Sequence, residues 1–234
     1  YFAECERDKL GHCLPSGRAG EQKTDQPKGK KQYGKSKAKV AVDLKQERRL
    51  AEEIIQSMFH GKISVEDIGS LVGAPDDAEI VVEPDRDVLH VSMYHPSLEG
   101  ACKNLIYMER GKVVVHLDYI EIKKEAQGSG IGSDIFGRQV EQCIEAGVNH
   151  IEAHLAKASQ EEGRVYNGYY TWPRLGFDQK ISDIAFDNDA PKPGLDVEIS
   201  HRFPEAKTVQ DIMSTKEGRD WWKENGIDLY AGKF

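Results

Sequence analysis

Three glycines within five residues, Gly128, Gly130 and Gly132, stand between an apolar, strand-like run from Lys112 to Ile122 and a helix-like run from Ser133 to Ala146. A strand that ends in such a turn and then starts a helix presents bare backbone N–H groups to an anion, and the positive end of the helix dipole reinforces them. Glycine lets the main chain turn sharply and approach a ligand with no Cβ in the way. The stretch Gln127-Gly128-Ser129-Gly130-Ile131-Gly132 therefore predicts a strand, loop and helix arranged to hold phosphate.

Spacing separates three patterns of phosphate binding. A P-loop closes its glycine run with Lys-Ser/Thr, whereas here Ile131, Gly132, Ser133 and Asp134 follow Gly130, so that pattern fails. A dinucleotide fingerprint wants Gly-x-Gly-x-x-Gly and an acidic ribose ligand about 20 residues on, which makes it the weaker fit. The third pattern, Gln/Arg-x-x-Gly-x-Gly/Ala, is met by Gln127, Gly130 and Gly132. In it the chain resembles the pyrophosphate loop of the GNAT superfamily of N-acetyltransferases. Downstream, His150 to Ala156, then Tyr166 to Trp172, then Leu175-Gly176-Phe177 are similar in order and spacing to that family's strand, helix and Leu-Gly-Phe ending.

The resemblance covers roughly residues 90 to 180 and implies acetyl-CoA as cofactor and an amine as acceptor. Gln127, Gly128, Ser129, Gly130, Ile131 and Gly132 would hold the pyrophosphate, Ile120, Glu121 and Ile122 the pantetheine arm through their backbone, and Asn167 a further part of the cofactor. Many members of the family draw a base from the strand before the loop, which makes His116 and Asp118 the candidates. Period-two alternation puts these two on one strand face and Val115 and Leu117 on the other. The imidazole has the better intrinsic pKa for work near neutrality. The family's usual proton-donating tyrosine falls on Trp172, whose indole N–H cannot serve as an acid, so Tyr169 and Tyr170 are the phenols in reach. Each of these six-membered rings is equally read as core packing with a polar tip.

The rest of the chain sets the frame. Residues 1–16 contain Cys5, His12 and Cys13 but no fourth ligand, so no metal site is expected, and the piece reads as the remnant of an upstream region or a short docking peptide. Residues 17–40 form a basic linker with a net charge of +6 within a chain of −8, expected to be disordered. That linker is either a solvating tether or an arm for nucleic acid or an acidic partner protein, and Tyr33 as its only aromatic counts against base stacking. Residues 41–234 make the folded domain, with a core over about 78–180 and a helical C-terminal extension over 208–226. The expected class is α/β (α+β), a mixed and mostly antiparallel central sheet flanked by helices.

Within that domain, strands are expected at Glu79–Glu83, Val88–Tyr94, Asn104–Glu109 and Lys112–Ile122, with Arg110-Gly111 as a hairpin turn. Ser64 to Asp67 is a capping box, Thr208 to Asp211 caps another helix, and Trp221 and Trp222 point inward from a third that Gly226 closes. Residues 187–194 read as a loop. No apolar run approaches the ~18 residues of a membrane span, and cysteines far apart in apolar segments place the protein in a reducing cytoplasm. The acidic balance of the body hints at a cationic amine. The sequence thus supports an acetyl-CoA-dependent N-acyltransferase acting by direct transfer on a small-molecule or protein amine. The alternative is a non-catalytic accessory module of the same fold in a larger assembly, binding coenzyme or a partner without turnover.

Overall fold

Short runs rich in β-branched residues, separated by turns, lie between Glu79 and Tyr119 and are realised as a meander of antiparallel strands. The computed structural model describes residues 32–155, 168–184, 194–226 and 229–233. Among them, β1 (Lys39–Ala41), β2 (Glu79–Asp85), β3 (Val88–Tyr94), β4 (Cys102–Glu109), β5 (Lys112–Tyr119), β6 (His150–Leu155) and β7 (Leu229–Lys233) form one sheet in sequential order. The β1/β2 and β5/β6 pairs are parallel and the other four antiparallel, so the expected mixed, mostly antiparallel sheet is present. Arg110 and Gly111, with φ of 50° and 77°, make the tight β4–β5 turn in the twist that right-handed strands favour.

Helix ends fall at the caps expected at Ser64, Thr208 and Gly226. The helix α1 (Lys45–Phe59) ends at His60 and Gly61 in left-handed geometry. The Ser64/Asp67 box opens a short turn that runs into α2 (Ile68–Leu71). Next come α3 (Ile131–Ala146), α4 (Gly168–Arg174), α5 (Ile181–Ile184), α6 (Leu195–Arg202), α7 (Val209–Met213) and α8 (Lys216–Asn225). The Thr208 hydroxyl accepts from the Asp211 amide at the head of α7, and Trp222 of α8 is fully buried. Ile80, Val82, Val91, Met93, Ile106, Val115, Leu117 and Ile151 share one buried cluster with Ile55 of α1, Phe136 of α3 and Trp222. The other face of the sheet carries His90, Tyr107, His116, His150 and Glu152.

Two clamps seat α3 under the sheet. Gly73 approaches α3 so closely that a Cβ on it would lie 2.0 Å from the Ile135 carbonyl oxygen. Arg138 donates to the Ala74 carbonyl at 2.6 Å and to Asp76 at 2.8 Å. The linker reading needs a correction at its C-terminal end. Residues 33–40, expected to be disordered, pack on the body: the Tyr33 ring lies over Gly137, its amide donates to Glu141 at 2.6 Å, and Lys39 to Ala41 pair with Glu79 to Val81. A helical glycine leaves a notch that an aromatic ring fills, and this docking outweighs the solubility of the neighbouring lysines. Strands β1 and β7, and helices α5 and α6, went unforeseen. The expected peptide at 1–16, the linker up to residue 31, Asn167 and the loop at 187–193 lie outside the described residues.

Candidate active site

The passage from β5 into α3 leaves a row of amides unused. After Tyr119 the chain runs extended to Lys123, makes one tight turn at Lys124–Ala126, and enters α3 through Gln127 to Gly130. Gly128 and Gly130 have φ of 79° and 92°, and a Cβ at either would meet nothing within 4 Å. The bend is therefore open rather than occluded. The amides of Gln127, Ser129 and Ile131 are used locally, by Lys123 O at 3.1 Å, Ala126 O at 3.3 Å and Ser129 Oγ at 3.4 Å. Those of Gly128, Gly130, Gly132 and Ser133 go to no carbonyl or side chain among the described residues. At the head of a 16-residue helix, open amides of this kind can accept an anion. Gln127 has a different part, since its Nε2 donates to Ile122 O at 3.0 Å and so braces the loop against the strand.

The sheet opens beside this loop. Pairing of β5 with β6 ends at Leu117 and Ala153, although β5 continues to Tyr119 and β6 to Leu155. Beyond that point the β5 chain leans on the β3–β4 connection instead: Leu98 bridges Ile122, Glu99 N donates to Glu121 O at 2.9 Å, and Lys123 N to Ser97 O at 3.0 Å. Alternation along an extended chain then turns the N–H and C=O of Ile120 and the N–H of Ile122 the other way, into the gap. Of the three residues Ile120, Glu121 and Ile122, the Glu121 carbonyl is spent on Glu99. Its carboxylate accepts from the Tyr119 hydroxyl. From Leu117 to Ile122 the edge spans about 16 Å at ~3.3 Å per residue.

His116 sits one residue before the point of divergence, on the face opposite the core, with Asp118 two residues on and exposed. The side chain of His116 is 16% exposed, and its Nδ1 lies 3.6 Å from Oε2 of Glu152, its partner in register on β6. The same carboxylate accepts from the Tyr107 hydroxyl at 3.1 Å and approaches His150 Nε2 at 3.6 Å. Burial, and then the adjacent charge of Glu152, push the Tyr107 phenol up to about 12, so it stays protonated and donates. Sequence reasoning missed Tyr107, His150 and Glu152. The signal was the alternation of His150 and Glu152 with Ile151 and Ala153, but only the register puts Glu152 beside His116.

The two candidate phenols part company. Tyr169 is buried, its hydroxyl donates to the Lys223 carbonyl at 2.6 Å, and burial raises its pKa, so it joins α4 to α8. Tyr170 is half-buried, with the Arg174 guanidinium 5.7 Å and Lys223 Nζ 6.0 Å from its ring centre. Trp172 packs edge-on against Phe136 and Phe177, at 5.3 and 5.4 Å between ring centres.

No protein-family profile matches the chain, and no curated protein does. Among solved structures, a crystal structure of nourseothricin acetyltransferase aligns over 40% of this chain and 51% of its own, at 19% identity and a TM-score of 0.28. That alignment spans about half of the acetyltransferase.

The residues themselves define what the site can do. An anion fits the four open amides, an extended arm fits the free edge at Ile120 and Ile122, and an imidazole stands where the gap closes. Among the described residues no group of three or more His, Cys, Asp or Glu is placed to hold a metal ion, and no helix is long and apolar enough to cross a membrane. Cys102 and Cys143 are both buried and unpaired with one another, and burial pushes their thiols up, Cys102 to about 12.

Proposed function

We propose that the protein is an acetyl-CoA-dependent N-acyltransferase that passes an acetyl group directly to an amine. The observation that carries this reading is the continuity of three features: open amides at Gly128, Gly130, Gly132 and Ser133, the free strand edge at Ile120 and Ile122, and His116 at its far end. Acetyl-CoA, when bound, supplies a thioester carbonyl activated for attack by an amine. The cradle holds the pyrophosphate, with the Lys123 and Lys124 ammonium groups adding positive charge nearby. The strand edge holds the pantetheine arm, and orienting the thioester in this way removes most of the entropic cost of the encounter. His116 takes the proton from the acceptor ammonium, with Asp118 on the same face to attract a cationic amine. Tyr170 is the phenol left to protonate the departing thiolate.

The test is binding followed by turnover. Acetyl-CoA is expected to raise the melting temperature of the wild-type protein, and thiol release over an amine panel to identify the acceptor. Gly130→Val strains the bend, whose φ of 92° suits glycine, but the bend is exposed and the replacement meets no neighbour, so the fold is expected to survive while coenzyme affinity falls at least ~10-fold, about 1.4 kcal/mol. No thermal shift at millimolar coenzyme sinks the proposal. Binding without turnover supports the second reading, a coenzyme-binding accessory module, which the packing of Trp172 in place of a phenol favours.

A further inference from the structure

We propose that Glu152 is a positioning residue for His116: its carboxylate holds the imidazole with Nδ1 protonated and so leaves Nε2 as the basic atom. The inference rests on the acyltransfer reading above for its purpose, but its geometry stands apart from it. His116 and Glu152 are register partners on parallel strands, one residue before the strands diverge, and Nδ1 and Oε2 lie 3.6 Å apart. The carboxylate is itself fixed, because the Tyr107 hydroxyl donates to the same oxygen at 3.1 Å from the neighbouring strand β4. His150 approaches the other oxygen at 3.6 Å, which leaves Oε2 to His116 and Tyr107.

Exposure grades outward across the group, from 16% for His116 to 32% for Glu152 and 34% for His150. The ring nitrogen of His116 paired with the carboxylate is Nδ1, at ion-pair distance, and closing that gap by a few tenths of an ångström favours the tautomer that donates to it. A neutral imidazole with its proton on Nδ1 can only accept at Nε2. The same logic makes an oriented imidazole a better base than a freely rotating one, and loss of the orienting carboxylate costs rate through the wrong tautomer.

The experiment uses the full chain labelled with 15N in its imidazoles, at a pH where they are neutral, with Glu152→Leu, Glu152→Asp and Tyr107→Phe beside the wild type. His116 is expected to show the Nδ1–H tautomer in the wild type, to lose that preference in Glu152→Leu and to regain it in Glu152→Asp. With acetyl-CoA and an accepted amine, Glu152→Leu is expected to lower kcat at least ~10-fold, with KM for acetyl-CoA within about twofold. Tyr107→Phe shifts kcat in the same direction by less. A wild-type His116 that carries its proton on Nε2, or shows no preference, overturns the inference, and this result stands even where Glu152→Leu fails to fold. So does a folded Glu152→Leu with unchanged tautomer and kcat. A wild type that shows the expected tautomer yet neither binds coenzyme nor turns over overturns the acyltransfer reading instead, and with it the catalytic purpose of the pair.

Discussion

Gly132 and Ile122 are in contact across the mouth of the loop: a Cβ on Gly132 would fall 2.8 Å from Ile122 Cδ1. The contact ties the first turn of α3 to the strand edge, so the cradle and the channel keep a fixed offset. Gly132→Ala therefore pushes the Ile122 side chain aside. Since the obstructing atom is the end of a flexible side chain, folding survives, with a cost of about 1 kcal/mol or less. Coenzyme affinity is expected to stay within about twofold, since the last position of the loop pattern admits alanine and the backbone amides are left in place; a loss of tenfold or more, read by calorimetric titration, would show that the Ile122 contact sets the geometry of the loop.

Gly73 presents the opposite case. Its φ of 72° strains any other L-residue, and its neighbour is the Ile135 carbonyl, backbone that cannot yield. Gly73→Ala is expected to destabilise the fold by about 2–4 kcal/mol, from left-handed strain and overpacking together. A urea melt measures it. A loss under about 1 kcal/mol would show that α2 and α3 are not clamped there.

Legibility followed signal strength. The meander was readable because Val88 to Tyr94 alternates between core and solvent and Lys112 to Tyr119 is rich in β-branched valine, and the caps at Ser64, Thr208 and Gly226 mark helix ends by local chemistry. Strand β1 was not, because three residues at the end of a lysine-rich run carry no periodicity, and only the exposed edge of β2 makes them a strand. Tyr33 looked like a stray aromatic, since its partner is the notch at Gly137, more than a hundred residues on. In the site, the open bend at Gly128 and Gly130 was legible from local pattern, and His116 entered only through the family resemblance. Glu152 was not, because parallel register is a property of the sheet and not of either strand.

The two tyrosines of α4 separate by function. Tyr169→Phe removes a bond to the Lys223 carbonyl and leaves that acceptor unsatisfied, so it is expected to cost about 1 kcal/mol of stability and leave kcat within twofold. Tyr170→Phe, which breaks no such bond, is expected to keep stability and lower kcat, measured by thiol release. A Tyr170→Phe enzyme at full rate would remove the phenol from the chemistry.

Acid pH loosens the second clamp on α3. The Arg138 guanidinium, and next the Lys37 amide, hold the Asp76 carboxyl below the usual carboxylate range. A folded pKa below the unfolded one means that the unfolded chain binds the proton first, so this contribution is fully present above the unfolded value of ~3.9 and vanishes as pH falls through the folded value. Asp76 is half exposed, so solvent screening limits the effect to a few tenths of a kcal/mol. Asp76→Asn is expected to be less stable than the wild type by that amount at pH 7 and equal to it near pH 2, in urea melts at both. A difference that persists unchanged at pH 2 would mean that Asp76 contributes through something other than its charge, and no difference at pH 7 would mean that Arg138 is held by the Ala74 carbonyl alone.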